Sequence, residues 1–375
     1  MPKSKIVYLL TRCKNAGPIK QTANIIKYLD RERFEPVLIT MFPEVKNDSL
    51  FEIYKAQNVE YHCMNSNKKE VLLNGGKKIK ELLNKIKPDV VHSVGMAPYK
   101  LAIQYNSCKH LVTLRNYVYE DYPAKYGKLL GTIMATLDMR QIQRGGSIVT
   151  CSESLSNIYK AKKNIQLPFI RNGVDLIDYK KTSESIRSEM REKLSLPQDK
   201  KIAVYTGQFL ERKNQKFAIE GILSSKLKED ICLVLIGAGK NLEILRNQYK
   251  ENANVIFTGQ QSNVEEYLQA ADFYVSTSKS EGMPNGVLEA MAVGLPVLLS
   301  DILQHKEIVE INERVGRLYS SGNLLSFEKS LSELLAMDLY KSGNESYEVV
   351  NNHLNAELMS RSYQKKYSSI LHERG

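Results

Sequence analysis

The chain has 375 residues, 42% of them hydrophobic and 25% charged, with a formal net charge of +11 at neutral pH. That length exceeds one ordinary core and suits two domains, and the balance is that of a globular protein rather than a disordered one. No run approaches the roughly 18–20 apolar residues of a transmembrane helix; the apolar run Ile6 to Leu10 is too short for a signal-peptide core, so a cytoplasmic protein is expected.

The elements alternate from the start. KIVYLL (5–10) reads as a buried strand, the stretch around QTANIIKYL (21–29) as a helix, and FEPVLIT (34–40) as a second strand. GGKKIKELLNKIK (75–87) is helical in period, DVVHSVG (89–95) is a strand, and KHLVTLR (109–115) and SIVTCS (147–152) are two more. Strand, helix, strand in this order argues for βαβ units and a mostly parallel sheet. Lys and Arg strongly outnumber Asp and Glu across residues 1–180, whereas the remainder is close to balanced. One half therefore suits an anionic partner: a membrane surface, a phosphate-bearing acceptor or nucleic acid.

The scheme then begins afresh. KIAVYTG (201–207), ICLVLIGAG (231–239), NVIFTG (254–259), DFYVSTS (272–278) and LPVLLS (295–300) are strands, with helical stretches between them around QKFAIEGIL, NLEILRNQYK, VEEYLQAA and GVLEAMAVG. Two successive series imply two doubly wound domains rather than one long sheet. The polar stretch Tyr179 to Lys201 reads as the linker. Near the end, Met359, Tyr363, Tyr367 and Ile370 fall on one face of a terminal helix that needs a surface to cover. Expected boundaries are 1–180, 181–354 and, for the terminal helix returning to the first domain, 355–375.

The five cysteines (Cys13, Cys63, Cys108, Cys151, Cys232) show no pair at metal-ligand or redox spacing and read as packing residues or inert thiols. No Asp-x-Asp triplet occurs, so no metal is expected at a diphosphate. GAG (237–239) follows a strand and reads as a tight turn at the ligand edge.

The strongest local signal is SEGMPNGVLEAMAVGLPV (280–297). A strand ends in a loop holding Glu281, Gly282, Met283 and Pro284. Asn285 is then placed to cap a helix that runs through Glu289 and stops at Gly294. Such a loop lies at the C-terminal edge of a parallel sheet, where open α/β folds bind ligands. The helix N-terminus offers a seat for a diphosphate. Gly282 and Gly286 read as points of close backbone approach.

With the flanking segments IKPDVVHSVG (86–95), IRNGVD (170–175), YTGQFLERKNQ (205–215) and GQQSNVEEYLQAADFYVSTSKSEG (259–282), this motif resembles the retaining family 4 glycosyltransferases. Those markers stand in the family's order across most of the chain. The resemblance implies the GT-B fold: two Rossmann-like doubly wound domains facing across a cleft, with the C-terminal helix packing back on the first. It implies a retaining hexosyl- or N-acetylhexosaminyltransferase. It implies a nucleoside diphosphate sugar as the donor substrate, with no further cofactor. The acceptor would be a lipid-linked or other glycan hydroxyl, in bacterial surface polysaccharide or glycoconjugate synthesis. Nucleic acid drops out as a partner, and an anionic membrane surface at the inner face remains. The rival readings are a non-catalytic binding protein of this fold and a sugar-nucleotide epimerase.

The same resemblance gives roles to residues. Glu281 and the backbone of Gly282 to Asn285 would hold the transferred sugar, and Glu289 the ribose. Lys213 would neutralise the departing diphosphate. The loop Gln261 to Val264 would border the base, and Gly17 would face donor and acceptor. The chain departs from the family at Gln208, where an arginine is usual, so one phosphate contact would be missing or moved to Arg212. It departs again at Thr113-Leu114-Arg115-Asn116, where a histidine is frequent, so that Arg115 would meet the donor phosphate or an anionic acceptor. His92, lone at a strand end, reads first as structural.

Overall fold

The computed structural model describes residues 2–45 and 48–372. The chain divides into two compact units, Met1–Gly173 with Ala356–Gly375, and Val174–Asn355. The first unit therefore closes at Gly173, ahead of the expected 180.

Six parallel strands form the sheet of the first unit: β1 (Ser4–Leu10), β2 (Phe34–Thr40), β3 (Glu60–Cys63), β4 (Val90–Val94), β5 (Lys109–Leu114) and β6 (Ser147–Thr150). Their order is β3-β2-β1-β4-β5-β6. β1 is buried along most of its length, so successive side chains feed two cores. Ile6, Tyr8 and Leu10 pack with Ile19, Ile25 and Ile26 of the Gly17–Lys27 helix. Val7 and Leu9 pack with Ile79, Leu83 and Ile86 of the Lys68–Ile86 helix on the opposite face.

The terminal helix, Ala356–His372, belongs to this unit and supplies Met359, Tyr363, Tyr367 and Ile370 to the first of those cores. Ser360 Oγ donates to the Ile25 carbonyl at 2.7 Å, and Gln364 Nε2 to that of Tyr28 at 3.0 Å. The periodicity of four apolar residues thus marks both the helix and its docking face. The expected extent of this helix, to Gly375, includes Glu373–Gly375, which lie outside the described residues.

The second unit repeats the topology with β7 (Lys201–Thr206), β8 (Ile231–Ile236), β9 (Val255–Gly259), β10 (Phe273–Ser276), β11 (Val297–Ser300) and β12 (Gly316–Tyr319). Its order is β12-β11-β10-β7-β8-β9, again parallel throughout. In each sheet the chain starts at the centre, builds outward one way, then returns to the centre and builds the other way. The crevice at that reversal lies between β1 and β4 in one unit and between β7 and β10 in the other. The apolar pattern does not mark β3 or β12. Both are four-residue edge strands without a continuous apolar run.

The expected linker is also structured. Ser183 Oγ accepts from the Ile186 amide and caps a helix, Glu184–Lys193. Its Arg191 is buried, donating through Nε to the Ala270 carbonyl at 2.9 Å and through Nη2 to Asp272 Oδ2 at 2.6 Å. Asp272 also receives the Ile202 amide at 2.7 Å, so this polar segment is anchored on β7. Polar composition imitates a linker here because the buried anchor is an arginine.

Candidate active site

In the second unit the loop leaving β7 turns through Gly207 to Leu210 into a single 3-10 turn, Glu211–Lys213. Asn214, at φ 54°, then reverses the chain into the Gln215–Ser224 helix. Asparagine tolerates that left-handed conformation better than most residues. The turn is pinned from below. Thr277 Oγ1 donates to the Asn214 carbonyl at 2.8 Å and the Tyr205 hydroxyl to that of Lys213. The Lys279 amide donates to the Arg212 carbonyl at 2.7 Å, so the loops after β7 and β10 hold one another across the crevice.

Pinned in this way, the two basic side chains meet the glutamate of the second loop. Lys213 Nζ lies 2.5 Å from Glu281 Oε1, and Arg212 Nη1 lies 2.9 Å from Oε2 and 3.0 Å from the Ser280 carbonyl. Ser278 Oγ donates to Glu281 Oε1 at 2.7 Å. Burial alone would raise the Glu281 carboxyl, but Lys213 and Arg212 outweigh it and hold the group down to about 2. Two cations against one carboxylate leave a net positive centre at the C-terminal edge of a parallel sheet. Such a centre suits an anion whose charge grows during reaction.

The rest of the motif is placed next to this cluster. Gly282, Met283 and Pro284 are buried and lead into the Asn285–Ala292 helix. Pro284, not Asn285, occupies the cap position, and no side chain caps the helix, so the expected role of Asn285 is corrected. Gly286 is fixed by packing. A Cβ there would lie 2.5 Å from both Thr206 Oγ1 and the Tyr274 hydroxyl, so the helix approaches the sheet only with glycine at this point. Glu289, one turn in, takes the Tyr179 hydroxyl as a partner, and burial followed by this carboxylate raises that phenol well above its usual range. Gly294, at φ 86°, ends the helix as expected.

Gln208 is exposed, and its carbonyl accepts from Gln215 Nε2 at 3.0 Å. Arg212 is the arginine that reaches Glu281. In the GAG segment a Cβ on Gly237 would come within 1.9 Å of the Gly207 carbonyl, so this turn backs the loop after β7. Val264 opens the Val264–Ala270 helix after β9, two strands from β7 and so about 10 Å along the same sheet. Among the described residues no group of three or more His, Cys, Asp or Glu is gathered as a metal site.

Tyr179 and His305, like Arg191, carry no signal in the sequence. Tyr179 falls in the stretch expected to be a linker. His305 lies in the Leu303–Val309 helix, with Nδ1 2.9 Å from the Ser300 carbonyl. Ser300 Oγ donates to the Ser278 carbonyl at 2.7 Å, which connects the imidazole to the loop of Glu281. Burial lowers His305 to about 4 against the pull of Glu281, so it is neutral at pH 7. No motif spacing marks either residue.

Gly17 and Arg115 belong to the first unit. Gly17 opens the Gly17–Lys27 helix after β1. Arg115 follows β5, and its Nη1 lies 2.5 Å from Asn172 Oδ1 of the IRNGVD segment. Its Nε and Nη2 are buried without a hydrogen-bond partner among the described residues. His92 is fully engaged: Nδ1 meets the Tyr367 hydroxyl and Nε2 the Thr113 hydroxyl, each at 2.8 Å. Burial and then Arg115 lower it to about 3, a neutral structural imidazole.

The model of "Glycosyl transferases group 1" matches residues 186–349, which contain Arg212, Lys213, Glu281 and Glu289. The O-antigen biosynthesis glycosyltransferase WclY of Escherichia coli is 27% identical over 311 residues, 80% of each chain. The UDP-Gal:alpha-D-GlcNAc-diphosphoundecaprenol alpha-1,3-galactosyltransferase of the same species is 29% identical over 176 residues, 44% of each chain. Among solved structures, Anabaena Alr3699/HepE in complex with UDP and glucose superposes with a TM-score of 0.79 at 15% identity, covering 98% of this chain and 100% of that one. The α/β architecture is thus that of the GT-B glycosyltransferases, as the resemblance implied.

Proposed function

We propose that the chain, whose residues 186–349 match the model of the glycosyl transferases group 1, transfers a hexose or N-acetylhexosamine from a nucleoside diphosphate sugar to a hydroxyl, with retention. The observation that carries this reading is Glu281 held between Lys213 and Arg212 at the reversal point of the second sheet.

Lys213 and Arg212 bind the diphosphate and take up its charge as the sugar–phosphate bond breaks. Glu281 turns from its cations to hydroxyls of the sugar, and the backbone from Gly282 to Asn285 completes that pocket. Glu289, oriented by Tyr179, receives the ribose hydroxyls. Arg115, in the first unit, has two buried N–H groups without a hydrogen-bond partner among the described residues and takes an anionic group of the substrates. The acceptor oxygen forms its bond to the anomeric carbon on the face the diphosphate leaves, and a phosphate oxygen receives the acceptor proton. Val264 and Gln261 border the base, and Gly17 of the first unit meets the acceptor.

Three relatives or neighbours support the substrate classes: one named for O-antigen synthesis, one for a UDP-galactose donor and a diphosphoundecaprenol acceptor, and one bound to UDP. We accordingly assign a UDP-sugar donor, a lipid-linked glycan acceptor and a role in surface polysaccharide synthesis. Incubation with a panel of UDP-sugars and a lipid-diphosphate acceptor, followed by NMR of the product, tests this. A product with the donor's anomeric configuration is expected; an inverted centre contradicts the mechanism.

A further inference from the structure

The first unit carries an apolar surface that its own fold does not cover. After β5 the chain forms two packed helices, Val118–Tyr126 and Lys128–Gln143. They are locked together where a Cβ on Gly131 would meet the Pro123 backbone at 2.5 Å. The longer helix buries Gly131, Ala135, Asp138, Met139 and Ile142. Asp138 sits on that inner face, 2.6 Å from Lys100 Nζ and 2.5 Å from the Tyr122 hydroxyl. The inward side is therefore complete.

The outward side of the same helix is apolar. Leu129, Leu130, Ile133 and Leu137 are 79%, 54%, 51% and 53% exposed, and Tyr126 continues the row at 50%. At 100° per residue these four leucine and isoleucine positions centre opposite the buried face. Arg140 and Arg144 prolong the same side for another turn and have no carboxylate partner among the described residues. Lys125 and Lys128 flank its beginning. A second pair, Leu72 and Leu73, is 85% and 78% exposed near the start of the Lys68–Ile86 helix, beside Lys68 and Lys69.

Both helices start at the C-terminal end of the first sheet, one following β3 and the other preceding β6, its two outermost strands. The Lys68–Ile86 helix begins after the C-terminal end of β3, and the Lys128–Gln143 helix runs back toward the N-terminal end of β6. Leu72, Leu73, Tyr126, Leu129 and Leu130 thus lie at the C-terminal edge of the first sheet. A stripe of bulky apolar residues bordered by cations is the signature of a helix lying in the plane of an anionic bilayer. A partner helix or second copy would satisfy the leucines and leave Arg140 and Arg144 without a counter-charge.

We propose that the Lys128–Gln143 helix, with Leu72 and Leu73, docks this chain on an anionic lipid surface. The inference extends the lipid-linked acceptor named above, but its test reads binding and not transfer, so either can fail alone. Flotation with phosphatidylcholine vesicles and with vesicles containing phosphatidylglycerol measures it, on the unaltered chain, Leu129→Glu/Ile133→Glu and Arg140→Gln/Arg144→Gln. Binding to the anionic vesicles should fall tenfold or more in the first variant. It should fall less in the second, which should also lose salt dependence. UDP titration and circular dichroism should be unchanged in both, since every altered side chain is exposed. Equal binding by the unaltered chain and Leu129→Glu/Ile133→Glu would overturn the proposal, as would no binding to anionic vesicles. A dimer in solution that the same variant dissolves would also overturn it and assign the stripe to a second copy.

Discussion

The two units share one strand order and build opposite chemistry around its two central strands. In the first, β1 and β4 bring Tyr8 opposite His92, and the terminal helix closes over them with Tyr363 and Tyr367. Both ring nitrogens of that histidine are matched by hydroxyls, so the place is a sealed core. In the second, the loops leaving β7 and β10 bring Lys213, Arg212 and Glu281 together, and the result is a charged cluster. Strand order fixes where a crevice lies; the loops leaving its two central strands decide its charge.

The largest expected effect breaks this contrast directly. Glu281→Ala should lower sugar transfer about 10²–10³-fold, the scale of a lost transition-state contact, whereas Tyr367→Phe should cost stability and leave transfer alone. Steady-state rates and urea midpoints on the two variants check it. Gly286→Ala should destabilise the second unit by about 1–3 kcal/mol, since the new methyl meets Thr206 and Tyr274; thermal unfolding reads this.

Acid should act on both units alike. His92 and His305 stay neutral when folded, near 3 and 4 against an ordinary 6.5, so the unfolded chain binds more protons below pH 6.5. Stability therefore falls as pH drops through that window. Between pH 7 and 5 each histidine accounts for about 2 kcal/mol of the loss, and His305→Gln should remove its share in urea titrations. The smallest effect is Tyr179→Phe. Loss of one hydrogen bond to Glu289 should raise the donor KM about three- to tenfold with kcat little changed.

Much of this architecture is legible in the amino-acid order itself. Alternating apolar runs mark ten of the strands in order and the two-domain division, because buried parallel strands leave continuous hydrophobic signatures. β3 and β12 escape notice, since these two short edge strands carry no continuous apolar run. Within the site, Lys213 and Glu281 are readable from motif order, and the fold joins them at 2.5 Å. Tyr179, Arg191 and His305 are not readable, because each acts through a partner that no motif spacing links to it. Gly286 reads as making room for a ligand, whereas the room is taken by Thr206 and Tyr274.

In the proposed site Lys213 and Arg212 hold the diphosphate, and Glu281 partly neutralises them until the donor arrives. Calorimetric titration of UDP into Lys213→Ala and Glu281→Ala tests this most directly. Lys213→Ala should bind UDP at least tenfold more weakly. Glu281→Ala should bind it as tightly as the unaltered chain or tighter, because UDP carries no sugar for the carboxylate to hold and the cations are then freed. Undiminished UDP binding in Lys213→Ala would contradict this assignment.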